Sequence, residues 1–199
     1  MKIIIICGPT ASGKDSVIDE MYRELNQEYP GKVSQATYFK TRAARPQEKI
    51  DKYFISEEEF EKKRGSGEIP DEFWGEVSNY RVGYSINEFT KSEIVLVNID
   101  DKKARNLKEV AQQSNNEVLS IFLHAPEEVR KQRFMSREGW LIYEPAEYRL
   151  SHDVTDPNPE NHKDFDLIVE NKEGALAETM KEIMPAVKEF VESNKTIKN

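Results

Sequence analysis

A chain of 199 residues is one domain with room for small subdomains, and 29 Lys and Arg against 37 Asp and Glu leave a net charge of −8. That acidity excludes sequence-independent duplex binding, which runs on phosphate neutralisation. The longest aliphatic run, residues 3–6, falls far short of the ~20 apolar residues that span a bilayer, and there is no signal-peptide pattern. A single cysteine, Cys7, excludes an internal disulfide and a multi-cysteine zinc site, and reads as a small buried residue ending a strand. A cytoplasmic protein is expected, with neither nucleic acid nor membrane as partner.

In chain order, residues 2–6 are a continuous β-branched run, the signature of a strand buried on both faces. A helix is predicted from Lys14, with Val17, Ile18, Met21 and Leu25 on one face, and a strand over residues 33–39. Residues 40–52 then carry Lys40, Arg42, Arg45, Lys49 and Lys52 against only Glu48 and Asp51. Ser56 and Glu59 form a capping box that opens a short helix stopping near Gly65.

Regular alternation resumes with a strand at residues 94–99. A helix at 101–114 follows, with Ala104, Leu107, Val110 and Ala111 inward. A strand at 118–123 precedes a helix that starts at Pro126 with Glu127 and Glu128 in its first turn. A short strand at 167–169 leads to a helix over 174–191, with Leu176, Met180, Ile183, Val187 and Val191 inward. Pro185 is predicted to kink or split it. Strands alternating with helices predict an α/β domain with a parallel sheet, and residues 34–90, which break the alternation, predict an inserted subdomain. His152 and His162 lack metal-ligand spacing and read as incidental.

The segment Gly8-Pro9-Thr10-Ala11-Ser12-Gly13-Lys14-Asp15-Ser16 matches G-x-x-x-x-G-K between a strand signal and a helix signal, the context a phosphate loop requires. Its glycines let backbone N–H groups turn around a phosphate, the helix N-terminus adds positive potential, and Lys14 neutralises β/γ oxygens. The competing reading is an ordinary glycine-rich turn. Asp15 stands where such loops carry the Ser or Thr that holds Mg²⁺. Asp15 is therefore predicted as a magnesium ligand, directly or through water, with Ser16 as the alternative in a shifted register.

Behind this loop the chain resembles the guanylate kinases, from Ile3 to about residue 190. Thr41-Arg42-Ala43-Ala44-Arg45-Pro46-Gln47-Glu48 is similar to T-R-x-P-R-x-G-E, and Phe54-Ile55-Ser56-Glu57-Glu58-Glu59-Phe60 to F-V-S-x-E-E-F. Phe73-Trp74-Gly75-Glu76-Val77 resembles E-W-A-E-V, Val97-Asn98-Ile99-Asp100 resembles L-D-I-D, and Phe165-Asp166 to Asn171 resembles F-D-Y-V-I-V-N. The segment from Ala125-Pro126-Glu127-Glu128 through Arg133 and Arg137, then Arg149-Leu150, resembles the family's lid.

The resemblance implies a P-loop NTPase, three-layer α/β/α with a central parallel sheet. It implies a monophosphate-binding insert at 34–90 and a small helical lid at 126–155, all within one domain over 1–199. It implies ATP-dependent phosphoryl transfer to a nucleoside monophosphate, with GMP or dGMP as acceptor, Mg²⁺ as cofactor, and a monomer or homodimer. Arg42 and Arg45 match the arginines on the acceptor phosphate, where planar forks suit bidentate capture; Glu48 matches the carboxylate that orients them. A solvated basic loop is the bland alternative. Arg133, Arg137 and Arg149 match the lid arginines, and the alternative is a salt-bridged face with Glu128 and Glu138. Asn171 matches an asparagine near the adenine, or is a structural loop residue.

Base-contact positions depart from the family. Tyr38 replaces a serine, Phe73 replaces the acidic guanine contact with Glu72 adjacent, and Val82-Gly83-Tyr84-Ser85 replaces Tyr-Gly-Thr/Ser. Asp100 stands where the family has a purine-contacting aspartate, and Tyr53 lies one step from the tyrosine on the acceptor phosphate. Two rivals remain open. Gly-Lys-Asp-Ser also resembles ribose 1,5-bisphosphate phosphokinases, and guanylate kinase-like domains can be non-catalytic protein-binding modules.

Overall fold

The computed structural model describes residues 1–36, 38–44, 53–69, 72–74, 80–113, 116–136 and 146–193. In chain order the strands are β1 (Lys2–Cys7), β2 (Val33–Ala36), β3 (Tyr38–Lys40), β4 (Glu72–Trp74), β5 (Arg81–Tyr84), β6 (Ile94–Asn98), β7 (Glu117–His124) and β8 (Leu167–Glu170). The helices are α1 (Lys14–Glu28), α2 (Glu57–Gly65), α3 (Asp101–Gln113), α4 (Glu127–Met135), α5 (Ala146–Ser151) and α6 (Leu176–Glu192).

Strand β1 lies at the centre of a parallel sheet ordered β2-β6-β1-β7-β8. Successive side chains alternate faces, so its isoleucines serve two cores. Ile4 and Ile6 pack with Val17, Ile18, Met21 and Leu25 of α1 and with Met180, Ile183, Met184 and Val187 of α6. Ile3, Ile5 and Cys7 pack on the other face with Ala104 and Ala111 of α3 and with Phe122 and Phe165. Helices therefore cover both faces, as the sequence predicts. Each fully buried isoleucine contributes about 1.5–3 kcal/mol, so β1 anchors both cores. Burial also pushes the Cys7 thiol up to about 12, so it remains a neutral packing residue.

β1 is flanked by β6 on one side and β7 on the other, with chain connections leaving in opposite directions. Such a switch point opens a crevice at the carboxyl ends of the strands. The turn after Cys7 and the residues after Asn98 both lie there.

Strands β3, β5 and β4 form a second, antiparallel sheet. Phe39, Ile55, Phe60 and Ile69 make its own small core, with Tyr53 against it. Ser56 caps α2, its hydroxyl accepting the Glu59 N–H at 3.1 Å, the capping box read from the sequence.

Three expectations change. The strand predicted over 33–39 divides between two sheets: β2 pairs with β6, and β3 pairs with β5. Ala36 is buried with Val97, whereas Phe39 is buried with Phe60, and one straight strand cannot serve both cores. Val110 is 50% exposed rather than inward. At ~100° per residue it sits roughly 100° around the helix from Ala111, off the Ala104–Leu107–Ala111 stripe. Pro185 does not split α6, which runs unbroken from Leu176 to Glu192. Pro185 and Lys181 are both exposed, on the side of the helix where a carbonyl that loses its N–H partner can be met by water.

Candidate functional site

The chain leaves β1 at Gly8 and enters α1 at Lys14, and three residues between have left-handed φ: Gly8 at 152°, Ala11 at 61° and Gly13 at 96°. A β-carbon on Gly8 would lie 2.0 Å from the Leu123 carbonyl oxygen of β7, so the loop passes against the neighbouring strand with no room for a side chain. One on Gly13 would lie 2.2 Å from Asn171 Nδ2. Ala11 is held in a conformation alanine seldom adopts, packed on the buried ring of Phe134 from α4. Strain of this kind persists only where surroundings over-determine it, and it clusters at ligand sites.

The buttress beneath the loop is Asn171, at the end of β8. Its Nδ2 donates to the Ser12 carbonyl at 2.8 Å, and its Oδ1 accepts from Thr179 Oγ1 at 3.1 Å. Its backbone N–H donates to His124 O at 2.8 Å. The amide is 4% exposed and both ends are engaged, which favours the structural alternative of the sequence reading. Arg133 acts beside it, with Nη1 on the Ser12 carbonyl at 3.2 Å, Nη2 on Asn171 O at 3.1 Å and Lys172 O at 2.7 Å, and Nε on Glu173 at 3.2 Å. Its fork thus lies against the loop that the sequence pairs it with.

Lys14 opens α1 and folds back, its Nζ donating to Gly8 O at 2.7 Å and Pro9 O at 2.8 Å. The ammonium therefore sits over the loop whose amides it would supplement. Asp15, one step along, is exposed, and its Oδ1 accepts from Asn98 Nδ2 of β6 at 2.8 Å. Ser16 beside it is also exposed. The loop's Ser12 hydroxyl is fully buried and has no hydrogen-bond partner among the described residues.

On the second sheet, Arg42 lies 5.3 Å from the ring of Phe54 and 5.1 Å from that of Tyr80, with Nη1 on Ala43 O at 2.8 Å. The carboxylates offered for base recognition already have cations. Glu72 accepts from Arg81 Nε at 2.9 Å and pairs with Arg64 at 3.1 Å. Asp100 caps the start of α3 by accepting the Lys103 N–H at 3.0 Å and also pairs with that lysine's ammonium. Tyr84 donates to Asn98 O at 2.6 Å and meets Tyr38 edge-on at 5.2 Å, and burial pushes its phenol well above the usual range. The Tyr53 hydroxyl lies 3.4 Å from Glu88. Arg45, Glu48 and Arg137 lie outside the described residues, as do Gly75, Glu76 and Val77. Arg149 is described only as part of α5.

The sequence reading gave no role to Asn98, although it lies inside a motif already quoted, nor to Arg81, which is 6% exposed and paired with Glu72, Glu61 and Glu57. It also missed Arg130 and Asp153, a buried pair at the loop. Among the described residues no three His, Cys, Asp or Glu side chains group to hold a metal. No helix among them is long and apolar enough to cross a membrane.

The family profile described as guanylate kinase matches residues 1–194. A guanylate kinase of Prochlorococcus marinus is 31% identical over 193 residues, covering 94% of this chain and 97% of the relative. One of Malacoplasma penetrans is 27% identical over 180 residues, covering 87% and 88%. The crystal structure of guanylate kinase from Anaplasma phagocytophilum superposes with a TM-score of 0.62 at 24% identity, over 96% of this chain and 87% of that one, a likeness of fold.

Proposed function

Because the chain belongs to the guanylate kinase family, whose reaction is ATP-dependent phosphorylation of GMP to GDP, we propose a division of that work among its residues. The observation that carries the reading is the loop itself: three left-handed residues, two glycines that no side chain could replace, and a lysine poised over them. ATP is the co-substrate, and its β- and γ-phosphates sit in the Gly8–Lys14 loop. Lys14 leaves the carbonyls of Gly8 and Pro9 for the phosphate oxygens. Arg133 braces the loop through the Ser12 carbonyl and offsets charge on the transferred phosphoryl group. Arg42, two residues beyond β3, receives the acceptor phosphate, with Arg45 as its partner by the family resemblance.

The acceptor phosphate is already anionic near neutrality, so no general base is required. Alignment and charge stabilisation supply the rate, and closure over the substrates excludes water that would hydrolyse ATP. Asp15 fits a hard cation: it is exposed, one oxygen is oriented by Asn98, and its second oxygen has no hydrogen-bond partner among the described residues. One carboxylate with substrate phosphates and waters is the usual magnesium arrangement. Asp15, with Ser16 beside it, would hold Mg²⁺, which supplies neutralisation of charge on the β- and γ-oxygens. Asp15→Ala is expected to raise the magnesium concentration for half-maximal rate about tenfold, read by titrating Mg²⁺ at fixed ATP; an unchanged titration removes Asp15 from the metal site.

The acceptor is tested with GMP, dGMP, AMP, UMP and ribose 1,5-bisphosphate under coupled ADP detection. GMP is expected to turn over fastest. The pairing of Glu72 with Arg81 and of Asp100 with Lys103 leads us to expect discrimination against AMP of only about 10–200-fold, below what an unpaired polar contact gives. Turnover of the sugar bisphosphate alone overturns the assignment of the second sheet to a nucleotide.

A further inference from the structure

Besides Asn171 and Arg133, a third distant residue makes a polar contact with the loop. The backbone N–H of Thr10 donates to Asp153 Oδ2 at 2.5 Å, across 143 residues of sequence. Asp153 follows the end of α5 by two residues, and its side chain is 5% exposed. Behind it stands Arg130 of α4, 4% exposed, with Nη1 at 3.6 Å from the same oxygen. The Nε and Nη1 of Arg130 make no hydrogen bond among the described residues.

Asp153 Oδ1 also accepts the Thr155 N–H at 3.4 Å, but a buried ion pair whose arginine is this poorly hydrogen-bonded is a weak source of stability. Desolvating two charges costs several kcal/mol per ion, and apolar residues of similar volume often serve the fold as well or better. Its geometry does achieve something an apolar pair cannot. It places a fixed acceptor on one amide of the phosphate loop. Thr10 adjoins Ala11, whose left-handed φ must be maintained for the following amides to face one point. A loop amide held by a carboxylate loses its freedom to turn, and Arg130 stands against that carboxylate from behind.

We propose that Asp153 is a positioning residue for ATP: it pins the Thr10 amide and so holds the phosphate loop in its receptive shape, with Arg130 as its buried counter-charge. The pair also ties α4 and the segment after α5 to the loop. A displacement of either is then felt at the phosphates. This inference rests on the reading that the loop receives the phosphates of ATP.

Two double variants isolate the contact, because both remove the charge pair. Arg130→Met/Asp153→Asn retains an oxygen acceptor for Thr10, and Arg130→Met/Asp153→Ala does not. We expect the Ala variant to raise KM for ATP about tenfold with KM for GMP unchanged, and the Asn variant to rescue it to within about threefold of the parent. Amide hydrogen exchange at Thr10 is expected to speed up in the Ala variant alone. Where Ala leaves too large a void to fold, Asp153→Leu in the same background fills it and still offers no acceptor. Equal KM for ATP in the two variants, or tighter ATP binding on loss of the carboxylate, overturns the proposal; the second result would make Asp153 a competitor of phosphate. Lys14→Met run in parallel separates the two failures. If it too leaves ATP kinetics unchanged, the loop is not the ATP site, whereas if it alone impairs them, only the role of Asp153 falls.

Discussion

Replacing Lys14 with methionine is expected to lower kcat/KM by roughly 10²–10³-fold, the scale seen when one preorganised charge or donor is removed from a developing anion. Methionine keeps most of the side-chain volume, so the change is electrostatic. The two carbonyls that Lys14 now covers, Gly8 O and Pro9 O, are at a part-buried position. Leaving them to solvent is expected to cost at most about 1 kcal/mol. A thermal melt should therefore move by only a few degrees while the rate collapses. Steady-state kinetics with ATP varied at saturating GMP makes the comparison, and a loss smaller than threefold would remove Lys14 from the transition state.

Gly8→Ala is expected to be damaging for a different reason. The added methyl would meet the Leu123 carbonyl oxygen at 2.0 Å, and that oxygen belongs to β7, the strand hydrogen-bonded to β1. The neighbour is backbone in the centre of the sheet and cannot rotate away. Left-handed strain at φ 152° adds to the clash. Together these are expected to destabilise the protein by about 3 kcal/mol or more. Chemical denaturation measures it through a lowered midpoint. A midpoint within error of the parent would mean that the loop leaves β1 by another path.

The same two residues show what is legible in sequence. The isoleucine run and the glycine spacing are local patterns, and each has one dominant physical reading. So the central strand, the loop and its helix can be found without coordinates. Residues 33–39 are also a local pattern, but periodicity reports only that a residue is buried, never in which core. The division of that run between β2 and β3 depends on Phe60 and Val97, which lie far along the chain. Val110 shows a milder version, since a hydrophobic residue one step off the stripe still looks apolar in a list.

The site is less legible because its parts meet across long separations. Asp15 and Asn98 are 83 residues apart, and Asn98 carries no charge to draw attention. Arg130 and Asp153 look like solvated helix and loop residues, because charged residues are usually at the surface. Their burial follows from the closeness of α4 to the loop, where Phe134 seats Ala11. For Asn171 the sequence leaves an adenine contact and a structural role side by side, because it cannot show that the amide turns under the loop.

The lone thiol has a practical consequence. Cys7 is sealed at the end of β1 and burial pushes its thiol up to about 12, so thiol reagents find no exposed thiolate in the folded chain. A reporter cysteine installed at exposed Tyr148 of α5 would then take a fluorophore by itself, without first stripping the natural residue from the core. The enzyme is supplied ready for single-molecule distance measurements between α5 and a bound dye-labelled nucleotide.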